Sequence, residues 1–244
     1  MSSIARENAL ICLGCWDQMH MPIPIKGPLA WPFRAFGIRR SKMNPNICTI
    51  CERSFRYVKK KQQITAEATI LFADIRGFTR FSERADAAAV SRVVNLFHDQ
   101  CAQAIWAENG IVNKQMGDGL MAIFNFPIRI ERHAAAAVRA ALDIQRRCSK
   151  AFESTPPDDL QGVGVGVHTG QVEIGEFSSF HSDFTAIGGA VNLAARLESQ
   201  ASPGEVMISS EAARLAPEIV STASRRALRL KGIEQPVEAR VLTA

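Results

Sequence analysis

The pattern of apolar and polar residues divides the chain near residue 63. Before that point the sequence is rich in proline and cysteine, and MPIPIKGPLAWPF carries too many prolines for a long helix or a central strand. This part closes with RYVKKKQQ, a basic polar stretch that is typical of a linker. We therefore predict an N-terminal segment over residues 1–62 and a globular domain over residues 63–244.

From residue 63 onward, strand and helix patterns alternate. Apolar runs and two-residue alternation predict strands, whereas apolar positions three and four residues apart predict helices. Ser82 is the candidate N-cap of the first long helix, and Gly110 is its expected stop. The predicted strands are residues 68–74, two strands around a Gly117-Asp118-Gly119 hairpin, GVGVGVHTG and a closing hairpin within residues 225–244, and FTAIGG leads into a short predicted helix. This order predicts an α+β sandwich with helices on one face of the sheet.

Composition and charge exclude several classes of protein. Hydrophobic residues make up 47% of the 244 residues and charged residues 22%, as in ordinary globular proteins. The net charge of +5 suits an anionic substrate without requiring nucleic acid. No apolar run approaches the roughly 20 residues of a membrane helix, and the first residues lack the apolar stretch of a signal peptide. We expect a cytoplasmic protein without a transmembrane segment, whose cysteines are reduced or bound to metal.

Two aspartates follow or precede apolar strands and are accompanied by glycines. Asp74 ends the run ATILFAD, and Asp118 lies in KQMGDGLMAIF. Carboxylates at neighbouring strand ends can share divalent cations, and amides that lead into a helix can bind a phosphate. The pattern therefore indicates a nucleoside triphosphate with two metal ions. Taken singly, each aspartate is explained as well by local structure, Asp74 by a helix cap and Asp118 by a tight turn.

A third motif, AVNLAARLES, predicts a helix that carries Asn192 and Arg196 on one face, since they are four residues apart. Asn192 could hold a sugar oxygen, and the planar guanidinium of Arg196 suits a phosphate. On its own, such a pair of side chains on a helix usually belongs to the protein surface and has no functional role. Beside the two aspartates, it extends the nucleotide hypothesis.

In this order, FADIRGFT, KQMGDGLMAIF, GVHTGQV and FTAIGGAVNLAARLE resemble the class III nucleotidyl cyclase catalytic domain. The resemblance covers roughly residues 64–244. It implies an α+β, ferredoxin-like sandwich that dimerises head to tail, with active sites at the dimer interface. It also implies that ATP or GTP is converted to the 3′,5′-cyclic monophosphate and pyrophosphate with two Mg²⁺ or Mn²⁺ ions per active site.

The resemblance gives each candidate residue a role by its position in the matching motifs. Asp74 and Asp118, with Ile75 beside the first, are the expected metal ligands. Asn192 and Arg196 match the pair that stabilises the transition state. The expected substrate-binding residues are the base-reading Lys114 and Thr185, the terminal-phosphate contact Lys231, and Ile75, Gly77, Phe78 and Thr79 around the first aspartate.

Four cysteines form two pairs, Cys12-x-x-Cys15 and Cys48-x-x-Cys51, at the spacing of zinc or iron–sulfur ligands. The 32 residues between the pairs exceed the usual spacing of a zinc ribbon. NPNICTICE resembles a segment that precedes the catalytic domain in some bacterial cyclases, which favours Cys48 and Cys51 as a unit. Three arrangements stay open: one site within a chain, one pair from each chain of a dimer, or thiols without a ligand. Cys101 and Cys148 lie on predicted helices and are expected in the core.

The leading hypothesis is an adenylate cyclase that acts on ATP as a homodimer, because Lys114 can only donate a hydrogen bond and so suits adenine N1. A guanylate cyclase is the alternative within the same chemistry. A metal- or redox-sensing regulator with a non-catalytic cyclase domain is the alternative from another class. A basic nucleic-acid-binding module built on the cysteine pairs is disfavoured, because no basic recognition helix adjoins them.

Overall fold

The computed structural model describes residues 9–52, 64–153, 160–177, 184–230, 232 and 235–243. The predicted boundary near residue 63 and the candidate Lys231 lie outside the described residues. The helices are α1 (Leu13–Met19), α2 (Ala30–Ala35), α3 (Phe78–Arg84), α4 (Ala87–Ala107), α5 (His133–Glu153), α6 (Gly189–Gln200) and α7 (Ser210–Arg214). The strands are β1 (Ile64–Arg76), β2 (Ile111–Met116), β3 (Gly119–Phe124), β4 (Gly162–Glu176), β5 (Phe184–Ile187), β6 (Glu205–Ser209), β7 (Ser224–Leu228) and β8 (Val237–Thr243).

The described strands form one sheet in the order β2-β3-β1-β4-β6-β8-β7, with β5 paired to β4. The first four strands are antiparallel neighbours, and β1 is the central strand, paired with β3 on one side and along its whole length with β4 on the other. Because α3 and α4 connect β1 to β2 and α5 connects β3 to β4, this part of the chain has the predicted ferredoxin-like topology. The predicted hairpins β2–β3 and β7–β8 are both confirmed.

Helices cover both faces of the sheet rather than one. Thr169 on β4 bonds Thr69 on β1, and Thr69 in turn bonds His133 at the start of α5, so odd-numbered β4 residues face α5. Even-numbered β4 residues face α6, because a Cβ atom on Gly166 would lie 2.2 Å from the backbone nitrogen of Glu198. The expectation of helices on one face is therefore wrong for α6. The absence of a side chain at Gly166 is what allows α6 to approach β4 so closely.

The N-cap of the first long helix lies four residues later than the candidate cap Ser82. Ser82 lies inside the short helix α3, and the N-cap of α4 is Asp86, whose carboxylate accepts a hydrogen bond of 2.6 Å from the amide of Ala89. Ser82 and Asp86 are both of residue types that favour the N-cap position. Only the end of α3 at Arg84 shows that Asp86, and not Ser82, caps the long helix. The helix ends at Ala107, just before the predicted stop at Gly110.

Residues 9–52 pack against the sheet domain at the edge formed by β2. Buried apolar residues of this segment, including Ile25 and Ile47, belong to the same continuous core as the strands and the long helices. No described helix is long and apolar enough to cross a membrane.

Candidate active site

The fold brings Asp74 and Asp118 together at one end of the sheet. Asp74 stands near the end of β1, opposite Gly119 at the start of β3, and Asp118 lies in the turn just before that glycine. The carbonyl of Asp118 accepts a hydrogen bond of 3.1 Å from the amide of Ile75. The two aspartates are therefore neighbours because the β2–β3 hairpin docks on the end of β1.

The turn that carries Asp118 is held by a helix as well as by its strands. Gly117 takes a positive φ of 65°, which lets β2 and β3 join through a two-residue turn. Nε2 of His98 on α4 lies 2.8 Å from the carbonyl oxygen of Gly117. A carbonyl only accepts, so Nε2 carries the proton and donates to the turn. His98 was not predicted, because nothing local in the sequence links a helix residue to a turn 19 positions away.

Negative charge is concentrated at the two aspartates. The pKa of Asp74 is raised to about 7, first by burial and then by the charges of Asp118 and Glu198. Burial also raises the pKa of Glu198. Closely spaced carboxylate oxygens, whose mutual repulsion Arg76 offsets only in part, are suitable ligands for a hard divalent cation.

Arg76 joins this cluster to α6. Its guanidinium lies 3.3 Å from the Asp74 carboxylate and 2.5 Å from the Glu198 carboxylate, and it also donates to the backbone carbonyl of Glu198. A Cβ atom on Gly164 would lie 2.2 Å from this guanidinium, so the glycine leaves the space that Arg76 occupies. Glu198 was not predicted. Arg76 could have been found, since it lies two residues after Asp74 on the same face of a strand.

A pocket of about 350 Å³ opens beside the aspartates and is lined by Asp74, Ile75, Arg76, Gly77, Phe78, Thr79, Arg80, Asp118 and Gln161. Gly77 is the N-cap residue of α3, has a φ of 84°, and no side chain caps the helix. The interpretation of Asp74 as a helix cap is therefore wrong. The substrate-binding candidates around the first aspartate all contribute to one concave surface.

The two base-reading candidates lie on neighbouring elements. Lys114 is on β2 directly after Asn113, where the pairing of β2 with β3 is irregular. The buried hydroxyl of Thr185 on β5 donates a hydrogen bond of 3.1 Å to Oδ1 of Asn113. Asn113 was not predicted and joins the two candidate positions, although 72 residues separate it from Thr185.

Asn192 and Arg196 lie on α6, one helical turn apart, as predicted. Asn192 is exposed and Arg196 is half-buried. Neither residue has a hydrogen bond or ion pair with Asp74 or Asp118 among the described contacts. A single chain thus groups the aspartates into one cluster and leaves the helix pair outside it.

The four N-terminal cysteines converge within one chain. Cys12, Cys15, Cys48 and Cys51 are all buried, and their Sγ atoms all lie within 4.8 Å of one another. Cys101 and Cys148 are buried in α4 and α5, which confirms their prediction as core residues.

Residues 60–243 match the family described as the adenylate and guanylate cyclase catalytic domain. The chain belongs to this family. The cyclase domain is similar to an adenylate cyclase of Anabaena cylindrica, with 33% identity over 163 residues, which are 64% of this chain and 31% of the relative. It is also similar to adenylate cyclase 1 of Rhizobium meliloti, with 30% identity over 54% of this chain and 20% of the relative. The chain thus spans a third or less of the length of these relatives.

Solved cyclase structures share the fold. The adenylyl cyclase CyaB from P. aeruginosa is 28% identical with a TM-score of 0.69, over 75% of this chain and 97% of that chain. The guanylyl cyclase Cya2 is also 28% identical with a TM-score of 0.68, over 74% of this chain and 93% of that chain. One of these structures is named an adenylyl cyclase and the other a guanylyl cyclase, yet their similarity to this cyclase domain is almost the same. Overall similarity therefore does not decide whether the substrate carries adenine or guanine.

Proposed function

We propose that the chain is an adenylate cyclase that converts ATP to 3′,5′-cyclic AMP and pyrophosphate. The observation that carries this proposal is the pairing of Asp74 and Asp118 beside a pocket, with the pKa of Asp74 raised by burial and by neighbouring carboxylates. Such a cluster fits divalent cations, since its donors are hard carboxylate oxygens whose negative charge Arg76 offsets only in part. Asp74, Asp118 and the backbone of Ile75 are the groups that would hold them.

The reaction needs no protein nucleophile. The 3′-hydroxyl of the ribose gives up its proton to water and its oxygen attacks the α-phosphorus. The bond between the α-phosphorus and the oxygen that bridges it to the β-phosphate breaks, and pyrophosphate leaves. Bound Mg²⁺ or Mn²⁺ would lower the pKa of the 3′-hydroxyl and offset the charge of the triphosphate. The protein residues orient the substrate: the pocket beside Gly77 and Thr79 receives the phosphates, and Arg196 stabilises charge at the α-phosphoryl group. Lys231 is proposed to contact the terminal phosphates.

The choice of adenine rests on Lys114 and Thr185. Lys114 only donates and suits adenine N1. The hydrogen of the Thr185 hydroxyl is given to Asn113 Oδ1, which leaves the oxygen of Thr185 as an acceptor for the adenine amino group. Guanine presents an acceptor, O6, at the corresponding place, and two acceptors cannot pair. The Asn113–Thr185 bond therefore favours ATP over GTP.

Assembly as a head-to-tail homodimer would complete the site. Within one chain, Asn192 and Arg196 do not contact the aspartates among the described residues. In a two-fold dimer, each interface can combine the aspartates of one subunit with the Asn192–Arg196 helix of the other. This arrangement follows the family geometry and gives two equivalent sites per dimer.

The direct test is incubation of purified protein with Mn²⁺ and either ATP or GTP, followed by chromatographic detection of the cyclic product. We expect cyclic AMP from ATP and much less cyclic GMP from GTP. Cyclic GMP as the main product would establish the guanylate cyclase alternative. No product from either nucleotide, with the protein folded and dimeric, would overturn catalysis and favour a regulator that uses the cyclase domain only to assemble.

A further inference from the structure

The four buried cysteines lie outside the nucleotide site and form a nearly complete coordination shell. Sγ of Cys15 lies 3.3 Å from Sγ of Cys51 and 3.5 Å from Sγ of Cys48, and Sγ of Cys12 lies 3.5 Å from Sγ of Cys51. The two CxxC pairs therefore lie against each other within one chain. This geometry removes the need for a second chain to complete a four-cysteine site.

The separations fit a single metal ion. Four thiolates about 2.3 Å from one tetrahedrally coordinated zinc stand about 3.8 Å from each other. All the Sγ atoms of this site lie within 4.8 Å of one another. An iron–sulfur cluster places several iron and sulfide atoms between its thiolates and holds some of them much farther apart. The sulfur atoms are therefore spaced for one tetrahedral ion.

The backbone around the sulfurs is arranged for thiolates. The amides of Cys15 and Cys48 point at Sγ of Cys12, at 3.4 Å and 3.2 Å. Such N–H groups stabilise negative charge on a ligating sulfur. A Cβ atom on Gly14 would lie 3.0 Å from Sγ of Cys51, so the glycine between the first two cysteines gives that sulfur its space.

We propose that Cys12, Cys15, Cys48 and Cys51 bind one zinc ion, and that this ion fastens residues 9–52 to the edge strand β2 of the cyclase sheet. Zinc is the tetrahedral ion that four-cysteine sites with this C-x-x-C spacing bind as a closed structural centre. The two cysteine pairs lie at the two ends of the segment, so one ion closes the segment into a loop.

The closed loop makes specific polar contacts with the cyclase domain. The carbonyl of Met43 accepts hydrogen bonds from the amide of Val112, at 3.0 Å, and from the indole nitrogen of Trp106, at 2.7 Å. The buried side chain of Asn44 donates to the carbonyl of Gly110 at 2.8 Å. Met43 and Asn44 lie five and four residues before Cys48, so loss of the ion would release the part of the loop that makes these contacts.

The strand that the loop holds is the strand that carries Asn113 and Lys114. Val112 immediately precedes Asn113, where the β2–β3 pairing is irregular. A consequence for nucleotide binding rests on the proposed function: zinc loss should raise the KM for ATP more than it lowers kcat. The metal site and its contact with β2 stand without that function and can be measured separately.

The first experiment measures metal in protein purified without chelators. We expect elemental analysis to find one zinc per chain. An organomercurial that blocks the thiols of the folded wild type should release this zinc, which a metallochromic dye then detects. The Cys48→Ser/Cys51→Ser variant should lose the zinc. The matched control, Cys101→Ala/Cys148→Ala, changes two equally buried cysteines outside the site and should keep it. Wild type without metal, or coloured protein containing stoichiometric iron, would overturn the proposal.

The second experiment tests the attachment to β2 by hydrogen exchange, which does not depend on cyclase activity. After zinc removal from the wild type, the amide of Val112 should exchange at least about tenfold faster, because its acceptor is on the released loop. Amides of β3, which pair with other strands, should exchange as before. Unchanged protection of Val112 in protein shown to be zinc-free would refute the proposed role of the ion in holding the segment.

Discussion

The Asp74–Asp118 cluster and the four-cysteine cluster place candidate cation ligands in opposite environments. The side chain of Asp74 is 30% exposed beside a pocket, and its neighbours include a further carboxylate, Glu198. Cys12, Cys15 and Cys48 have no exposed surface, and Cys51 is 2% exposed. Catalytic metal sites keep room for substrate, whereas structural sites close around the ion.

The two clusters also differ in how many metal ligands a single chain supplies. The cysteine cluster has four ligands from one chain and is complete for a tetrahedral ion. The carboxylate cluster offers two aspartates and a nearby backbone, and substrate oxygens would have to supply further ligands. An open site of this kind gains ligands from its nucleotide and, in the proposed dimer, receives Arg196 from the second subunit.

The largest effect is expected from removing a carboxylate. Asp74→Ala or Asp118→Ala should lower cyclisation by at least about a hundredfold, because preorganised electrostatic groups typically contribute this much. Both variants should remain folded, since neither side chain is in the core. Initial rates with Mn²⁺ and ATP, beside circular dichroism, measure this. Asp99→Ala, an exposed position on α4, is the control, and near-normal activity of either site variant would contradict the metal assignment.

A mixing experiment tests whether the carboxylate site depends on two chains. Asp74→Ala protein and Arg196→Ala protein should each be inactive, and mixing them should restore at most about a quarter of wild-type activity, since half the dimers are mixed and each has one intact site. Activity is measured after subunit exchange has been proven with labelled chains. Exchange without recovery would show that the site is not shared.

Base selectivity should show a smaller effect. We expect kcat/KM for ATP to exceed that for GTP by at least about tenfold, or about 1.4 kcal/mol. Lys114→Glu should lower ATP use. Asn113→Ala should reduce the preference, because the Thr185 hydroxyl would then be able to donate to guanine O6. Competition between the two nucleotides measures the ratio, and equal use of both by the wild type would refute this account of base choice.

The smallest effect concerns stability and pH. The pKa of Asp74 is raised to about 7 in the folded protein, so the folded state binds the proton of this carboxyl group more tightly than the unfolded state does. The resulting contribution to the free energy of unfolding is fully present below the pKa of the unfolded state and is lost as the pH rises through 7. Without added divalent ions, Asp74→Asn should therefore exceed the wild type in stability at pH 8 by roughly 1–2 kcal/mol. Urea denaturation at pH 5 and pH 8 measures the difference. Parallel pH profiles for the two proteins would show that Asp74 is not destabilised by its neighbours.

The sequence predicted the elements whose signals are local. The hairpin at Gly117 and Asp118 was predicted from its glycines, and the β4 strand from its alternation, because turns and strands of this kind depend on neighbouring residues. The ordered motifs also gave the family and the ferredoxin-like fold, which the structure confirms. The cap at Ser82 was wrong because Asp86, four residues later, is an equally good cap residue, and only the break after α3 decided between them.

Residue type and order along the chain are enough to recognise the carboxylates, the Asn192–Arg196 pair and the two CxxC pairs as residues that could carry the chemistry. Which of these residues come into contact depends on how distant parts of the chain pack together. Arg76 reaches Glu198 across 122 positions, Thr185 reaches Asn113 across 72, and Cys12 reaches Cys51 across 39. These contacts depend on how α6, β5 and the N-terminal segment pack on the sheet. Local sequence patterns extend over only a few residues, so they cannot specify packing between distant elements.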